Sequence, residues 1–245
     1  MEAVFKSNRF LETLLVLLIM LIPTISMADS TTTIPITSSY WESFDINGNN
    51  GLSFGTGTLS STSDGMKVNG VGYRQGAGLW TTNTYNLVGT ETYIKWLAYG
   101  SGYMSVNAGI SYDWLSDNSI NTTGLTTDHS YSGSTVISDN TWYYTRIKLN
   151  SDRTYTVVTA TSNYDDSGGT TIKSSSGTYS GSSWSSYQSA HVMVGFGDNY
   201  GGTSAYVVVG ESVIKYLTST TTTTATSTTT TTTTGSPTTL TIKKQ

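Results

Sequence analysis

From residue 29 onward the chain carries three glutamates, Glu42, Glu91 and Glu211, and two histidines, His129 and His191. Cleaving a glycosidic bond takes two carboxyls flanking it, about 5 to 5.5 Å apart when configuration is retained. Glu42 and Asp45 stand three residues apart in WESFD, which puts them on opposite faces of a strand. Glu91 shares parity with Tyr93 and Lys95 in TETYIKW, and Glu211 falls near the middle of VVVGESVIKY, so two strands could bring these carboxyls face to face across a groove. Glu91 and Glu211 are therefore the candidate catalytic pair. The chain has no cysteine, which excludes thiol catalysis and Cys-ligated zinc. The histidines lack metal-ligand spacing, and His191, inside an apolar run, reads as a hydrogen-bonded structural residue. No nucleophile elbow or phosphate loop is present.

Holding a sugar asks for less than cleaving one. The apolar face of a pyranose stacks on an aromatic ring while Asp, Asn and backbone groups take its hydroxyls. Three stretches mix those residue types: SYDWLSDNS, with Trp114, Asp117 and Asn118; SSWSSYQ, with Trp184 and Tyr187; and GDNYGG, with Asp198, Asn199 and Tyr200. Trp114 and Trp184 have a second reading, as rings folded back over the edge of the core, since large aromatics are mostly buried. DINGNNG at 45 to 51 supplies oxygen ligands at Asp45, Asn47 and Asn49 and is the candidate structural calcium loop. A plain Asn-Gly turn explains the same residues.

The elements that must position these residues are strands. NTWYYTRIKL alternates at period two: Tyr143, Thr145, Ile147 and Leu149 share one face, and Trp142, Tyr144, Arg146 and Lys148 the other. Asn150-Ser151-Asp152 supplies a short hairpin loop, and a second run rich in Thr, Tyr and Val returns from Arg153. About twelve such runs, separated by Gly, Ser, Thr and Asn, lie between residues 40 and 217. Nothing keeps a helical period for three turns. Each sheet must hide an apolar face, so the expected fold is all-β: a two-sheet antiparallel β-sandwich.

The flanks read differently. Lys6 and Arg9, the nine-residue apolar run Leu14 to Ile22 and Ser26-Met27-Ala28 make residues 1 to 28 an expected signal peptide. The run is shorter than the roughly 20 residues a membrane span requires, so no span is expected in the mature chain. Residues 29 to 39 form a short leader. Thr fills 14 of the 17 positions from 218 to 234, and residues 218 to 245 are expected to be a solvated stalk and tail. Asn121-Thr122-Thr123 is the one N-glycosylation sequon. Charged residues make up 11% of the chain and no basic cluster exists, which excludes nucleic acid as a partner.

The order of these pieces resembles the concanavalin A-like lectin/glucanase superfamily of jelly-roll sandwiches, which includes laminin G-like modules. The resemblance spans most of residues 40 to 217. It is carried by WESFD at 41 to 45, SSTSDGMKVNG at 60 to 70, TYIKWLAYGSG at 92 to 102, NAGISY at 107 to 112, TWYYTRIKLNSDRTYTV at 141 to 157 and HVMVGFGD at 191 to 198. The compact E-x-D-x-E strand motif of the superfamily's glucanase branch is missing. The resemblance implies a secreted or cell-surface recognition module without catalysis, with a glycan or other extracellular surface ligand as its partner. A jelly-roll glycoside hydrolase using Glu91 and Glu211, or a structural surface protein, are the alternatives it leaves open.

Overall fold

A computed structural model describes residues 29–46, 57–70, 72–112, 119–122, 124–127, 134–162, 164, 169–200 and 202–217. Among the described residues, fifteen strands build two sheets in face-to-face layers. The 8-stranded sheet runs in the order β13 (Thr171–Thr178), β12 (Thr154–Ala160), β11 (Tyr143–Leu149), β6 (Thr90–Tyr99), β15 (Tyr206–Tyr216), β4 (Gly65–Asn69) and β3 (Thr58–Thr62), with β1 (Ser30–Thr33) also paired to β15. The 7-stranded sheet runs β10 (Thr135–Val136), β9 (Leu125–Thr126), β7 (Ser105–Ser111), β14 (His191–Asn199), β5 (Gln75–Thr81) and β2 (Trp41–Ile46), with β8 (Ser119–Asn121) on β7. All pairings are antiparallel except β9 with β10. The helical content of the described residues is two short 3-10 turns, at Trp184–Ser189 and Gly202–Ser204.

Period-two patterning makes the core. Along β11, Tyr143, Thr145, Ile147 and Leu149 are buried and the residues between them are half-exposed. They meet Ile94 and Trp96 of β6 and, from the facing sheet, Val106, Ala108 and Ile110 of β7 and Val192, Val194 and Phe196 of β14. A polar network crosses this core: the Trp96 indole N–H donates to Thr145 Oγ1 at 2.8 Å, and Thr145 Oγ1 lies 2.8 Å from Thr159 Oγ1. The three side chains satisfy one another where water cannot reach.

The structure departs from the sequence reading in three places. The leader is not separate from the sandwich, because Ser30–Thr33 pair with Val213–Tyr216 and Ile34 is 1% exposed in the core. Strands β8 and β9 are two or three residues long, too short for periodicity to reveal. Finally, β15 is not one regular strand. Val209 pairs with Trp96 and Glu211 with Lys95, so Gly210 is an extra residue that reverses the facing of everything after it. Val207 and Val209 point inward before the bulge, and Ser212 and Ile214 after it.

Glycine is required on both sides of this bulge. A Cβ on Gly210 would sit 2.7 Å from the Trp142 ring, and one on Gly65, whose φ is 143°, would fall on the Val209 carbonyl oxygen. Gly65→Ala is expected to lower unfolding free energy by about 1–3 kcal/mol, since both the dihedral and the space are unfavourable. Urea denaturation checks this, with an unchanged midpoint as the contrary result.

Candidate functional site

Strand register gives the sandwich two ends. At the first end lie the start of β14, the end of β7 and, in the other sheet, the start of β12 and the end of β13. His191 pairs with Ser111, Ser111 with Ser119, and Thr154 with Thr178. At the second end lie the end of β14 and the starts of β5 and β7, with Gly197 opposite Ser105 and Asn199 opposite Gln75. The nine residues of β14 separate the two ends by about 26 Å.

A pocket of about 480 Å³ opens at the first end, between the layers. Its walls come from Tyr112 after β7, from β8 through Ser119 and Ile120, from β12 through Tyr155, and from the continuous segment Thr178–Ser183 that begins at the end of β13. Three tyrosines and five hydroxyl side chains line it, and no charged side chain is among the described lining residues.

Local structure explains each ring. Tyr155 lies on the inward parity of β12 with Val157 and Thr159, but at the very start of the strand it runs out of facing sheet. Its cross-strand partner is Gly177, where a Cβ would come 2.9 Å from the Tyr155 hydroxyl oxygen, so the ring lies over bare backbone. The Tyr179 N–H donates to the Arg153 carbonyl at 2.9 Å, anchoring the segment after β13 to the hairpin turn. The hydroxyls of Tyr112 and Tyr179 are 3.4 Å apart, and both rings meet Tyr187 edge-on, at 5.2 and 5.3 Å. Trp184 packs beside Tyr179 and Tyr187 at 6.1 Å, and the Arg153 guanidinium stands 5.9 Å from the Trp184 ring. The turn itself is closed by Asp152, which accepts from the Thr154 amide and hydroxyl; these hydrogen bonds hold its carboxyl below the usual range.

Two of the three sequence-flagged sugar stretches therefore converge here. The segment holding Trp114, Asp117 and Asn118 lies outside the described residues, but both its flanks, Tyr112 and Ser119, line the pocket. Trp184 is half-buried beside it. Tyr187 is a correction: at 0% exposure it cannot offer a face to a ligand, and it instead packs edge-on against Tyr112 and Tyr179. Tyr112, Tyr155 and Tyr179 line the pocket without being among the candidates read from the sequence. Tyr112 was inside a flagged stretch, whereas Tyr155 and Tyr179 depend on a strand pairing that no local pattern announces.

The third stretch is at the other end. Tyr200 is 38% exposed there and contacts Tyr73 and Tyr103. Asp198 and Asn199 belong to β14, while their side chains lie outside the described residues. Asp45 is in β2, also at this end, through the pairing of Ile46 with Gly76. The side chain of Asp45 and the whole of Asn47 and Asn49 lie outside the described residues. Among the described residues no group of three or more His, Asp or Glu could hold a metal ion.

The expected arrangement of Glu91 and Glu211 across a groove is not found. Both project from the outer face of one sheet, on adjacent strands, with Glu91 opposite Lys215 and Glu211 opposite Lys95. That register staggers them by four residues, about 13 Å, beyond the roughly 5–9.5 Å spanned by the two glycosidase geometries. Glu91 is also occupied: its carboxylate accepts from the Tyr93 hydroxyl at 2.5 Å and lies 3.9 Å from Lys148 Nζ. Glu211 neighbours Tyr164, whose phenol is pushed up by burial first and by the Glu211 charge second. His191 is held as a structural residue, with Nδ1–H donating to the Thr81 carbonyl at 2.5 Å and its ring stacked 4.1 Å from Trp80.

No protein-family model matches this sequence, and no curated protein does. Solved structures do. The chain is similar to peanut lectin bound to a nine-residue peptide, with a TM-score of 0.50 and 6% identity over 77% of this chain and 97% of the lectin. It is similar to arcelin-5, a lectin-like defence protein of Phaseolus vulgaris, with a TM-score of 0.45 and 9% identity over 77% and 98% of the two chains. It is also similar to a xylan-binding module, CBM15, at 0.39 and 10% over 77% and 97%. The fold is the concanavalin A-like jelly-roll sandwich.

Proposed function

We propose that this chain is an exported, non-catalytic recognition module that takes a neutral saccharide into the pocket at the first end of the sandwich. The observation that carries this reading is the pocket lining: three tyrosine rings with Ser and Thr hydroxyls and no charge among the described residues. Such a wall stacks on the apolar face of a sugar ring and exchanges hydrogen bonds with its hydroxyls, while a charged ligand would be left uncompensated. The volume falls in the usual range for small-ligand sites, roughly 300–1,000 Å³.

Export rests on the expected signal peptide, and surface display on the Thr-rich stalk. No carboxylate is among the described residues that line the pocket, and the candidate calcium ligand Asp45 belongs to the opposite end. An array of neutral glycans probed with the secreted protein is expected to show binding that is the same in calcium and in a chelator. No binding in either condition would overturn the proposal.

A further inference from the structure

We propose that the second end of the sandwich carries a separate site, in which Tyr73, Arg74 and Tyr200 hold a carboxylated sugar ring. Large hydrophobic side chains are well covered on this protein: among the described residues those exposed are Tyr40 at 37%, Tyr73 at 63% and Tyr200 at 38%. Two of these three stand together, with ring centroids 5.2 Å apart and planes at 89°. Tyr103 supports Tyr200 from behind at 5.8 Å, and its carbonyl accepts the Tyr200 N–H at 2.8 Å. The cluster is held in place from below and left open above.

Arg74 joins the two rings, its guanidinium 5.1 Å from the centroid of Tyr200 and 5.9 Å from that of Tyr73. Its backbone has φ of 61°, in the left-handed region where glycine is the unstrained choice. An arginine in that position keeps a strained backbone, and strain of this kind gathers at functional sites. No ion pair to Arg74 exists among the described residues. The guanidinium donates to the hydroxyls of Tyr200 and Tyr73, and no described carboxylate takes its remaining N–H donors.

The chemistry narrows the ligand. A guanidinium edge matches a carboxylate through two parallel hydrogen bonds. Exposed tyrosine faces match an apolar disc beside that carboxylate. A uronic acid residue offers both on one ring. A free phosphate has no apolar face to cover Tyr73, and a nucleic acid would call for several cations where the described cluster presents Arg74 alone.

The full secreted chain is to be titrated calorimetrically with oligomers of galacturonate, glucuronate and mannuronate, and with their carboxyl-reduced neutral counterparts. At least one acidic oligomer is expected to bind, and its neutral counterpart to bind at least about tenfold more weakly. Arg74→Gly relaxes the backbone and so preserves the fold; it is expected to weaken acidic binding at least about tenfold, and Tyr73→Ala at least about threefold. Thr178→Trp, which fills the pocket at the other end, is expected to leave acidic binding unchanged. Failure of all three acids to bind, equal binding of acid and neutral forms, or indifference to Arg74→Gly would overturn the proposal. Loss of acidic binding in Thr178→Trp would overturn it too, by moving that ligand into the pocket. The neutral-glycan reading stands or falls separately, on the array.

Discussion

Trp96→Ala is expected to remove about 3–5 kcal/mol of stability, the range for truncating a fully buried large aromatic. Trp96 is 0% exposed on β6, in the middle of the 8-stranded sheet, and its ring packs 5.3 Å from Tyr143. Truncation leaves a cavity between the layers and also removes the N–H donor to Thr145. Tyr143 ties this region to the β10–β11 connection, since its hydroxyl accepts the Ser138 N–H at 2.7 Å, so loosening it spreads the damage. Domains hold about 5–15 kcal/mol in total, which makes the loss a large share. Thr145→Val separates the two contributions. It keeps the volume and orphans the indole N–H, for an expected cost of about 1–3 kcal/mol. Urea midpoints at constant slope measure both. A Trp96→Ala midpoint within error of the parent would mean that this ring does not sit between the sheets.

The second large effect is on ligand binding at the first end. Thr178→Trp is expected to abolish binding of whichever neutral glycan the array identifies, and Tyr155→Ala to weaken it at least tenfold, equivalent to about 1.4 kcal/mol. Thr178 is an exposed residue closing the edge strand β13, so a bulky ring there occupies the mouth without entering the core. Tyr155 is half-buried and its loss costs some stability, which is why the blocking variant accompanies it. Titrations of both variants beside Tyr73→Ala make the comparison complete. The latter alters the other end and is expected to bind the neutral glycan like the parent. Full binding by Thr178→Trp would place the glycan elsewhere on the molecule.

What the sequence settles by itself is whatever a few neighbouring residues decide. The alternation of Tyr143, Thr145, Ile147 and Leu149 against Tyr144, Arg146 and Lys148 gives strand, face and core together, because side chains leave a pleated backbone on opposite sides. The turn after Leu149 follows from its Asp and Asn side chains, since Asp152 accepts the Thr154 N–H and the Asn150 amide donates to the Thr154 hydroxyl. The choice of two layers follows from the need to bury one face of each sheet.

Where those faces end, and which residues meet there, is set by pairings between distant strands. The inserted Gly210 turns Glu211 onto the outer face that Glu91 shares, and the register that sets Glu91 opposite Lys215 and Glu211 opposite Lys95 keeps the two carboxylates four residues apart. Trp184 and Tyr187, three residues apart on one side of a 3-10 turn, stay in contact, and only the depth of packing leaves Trp184 half-buried at the rim and Tyr187 fully buried. Tyr155 becomes a pocket wall only because its neighbour on the edge strand is Gly177, and Arg74 reaches Tyr200 only because β14 ends beside the start of β5. Periodicity records how each strand faces the core. The sites at the two ends arise where that facing runs out, and register over more than a hundred residues decides which side chains are left there.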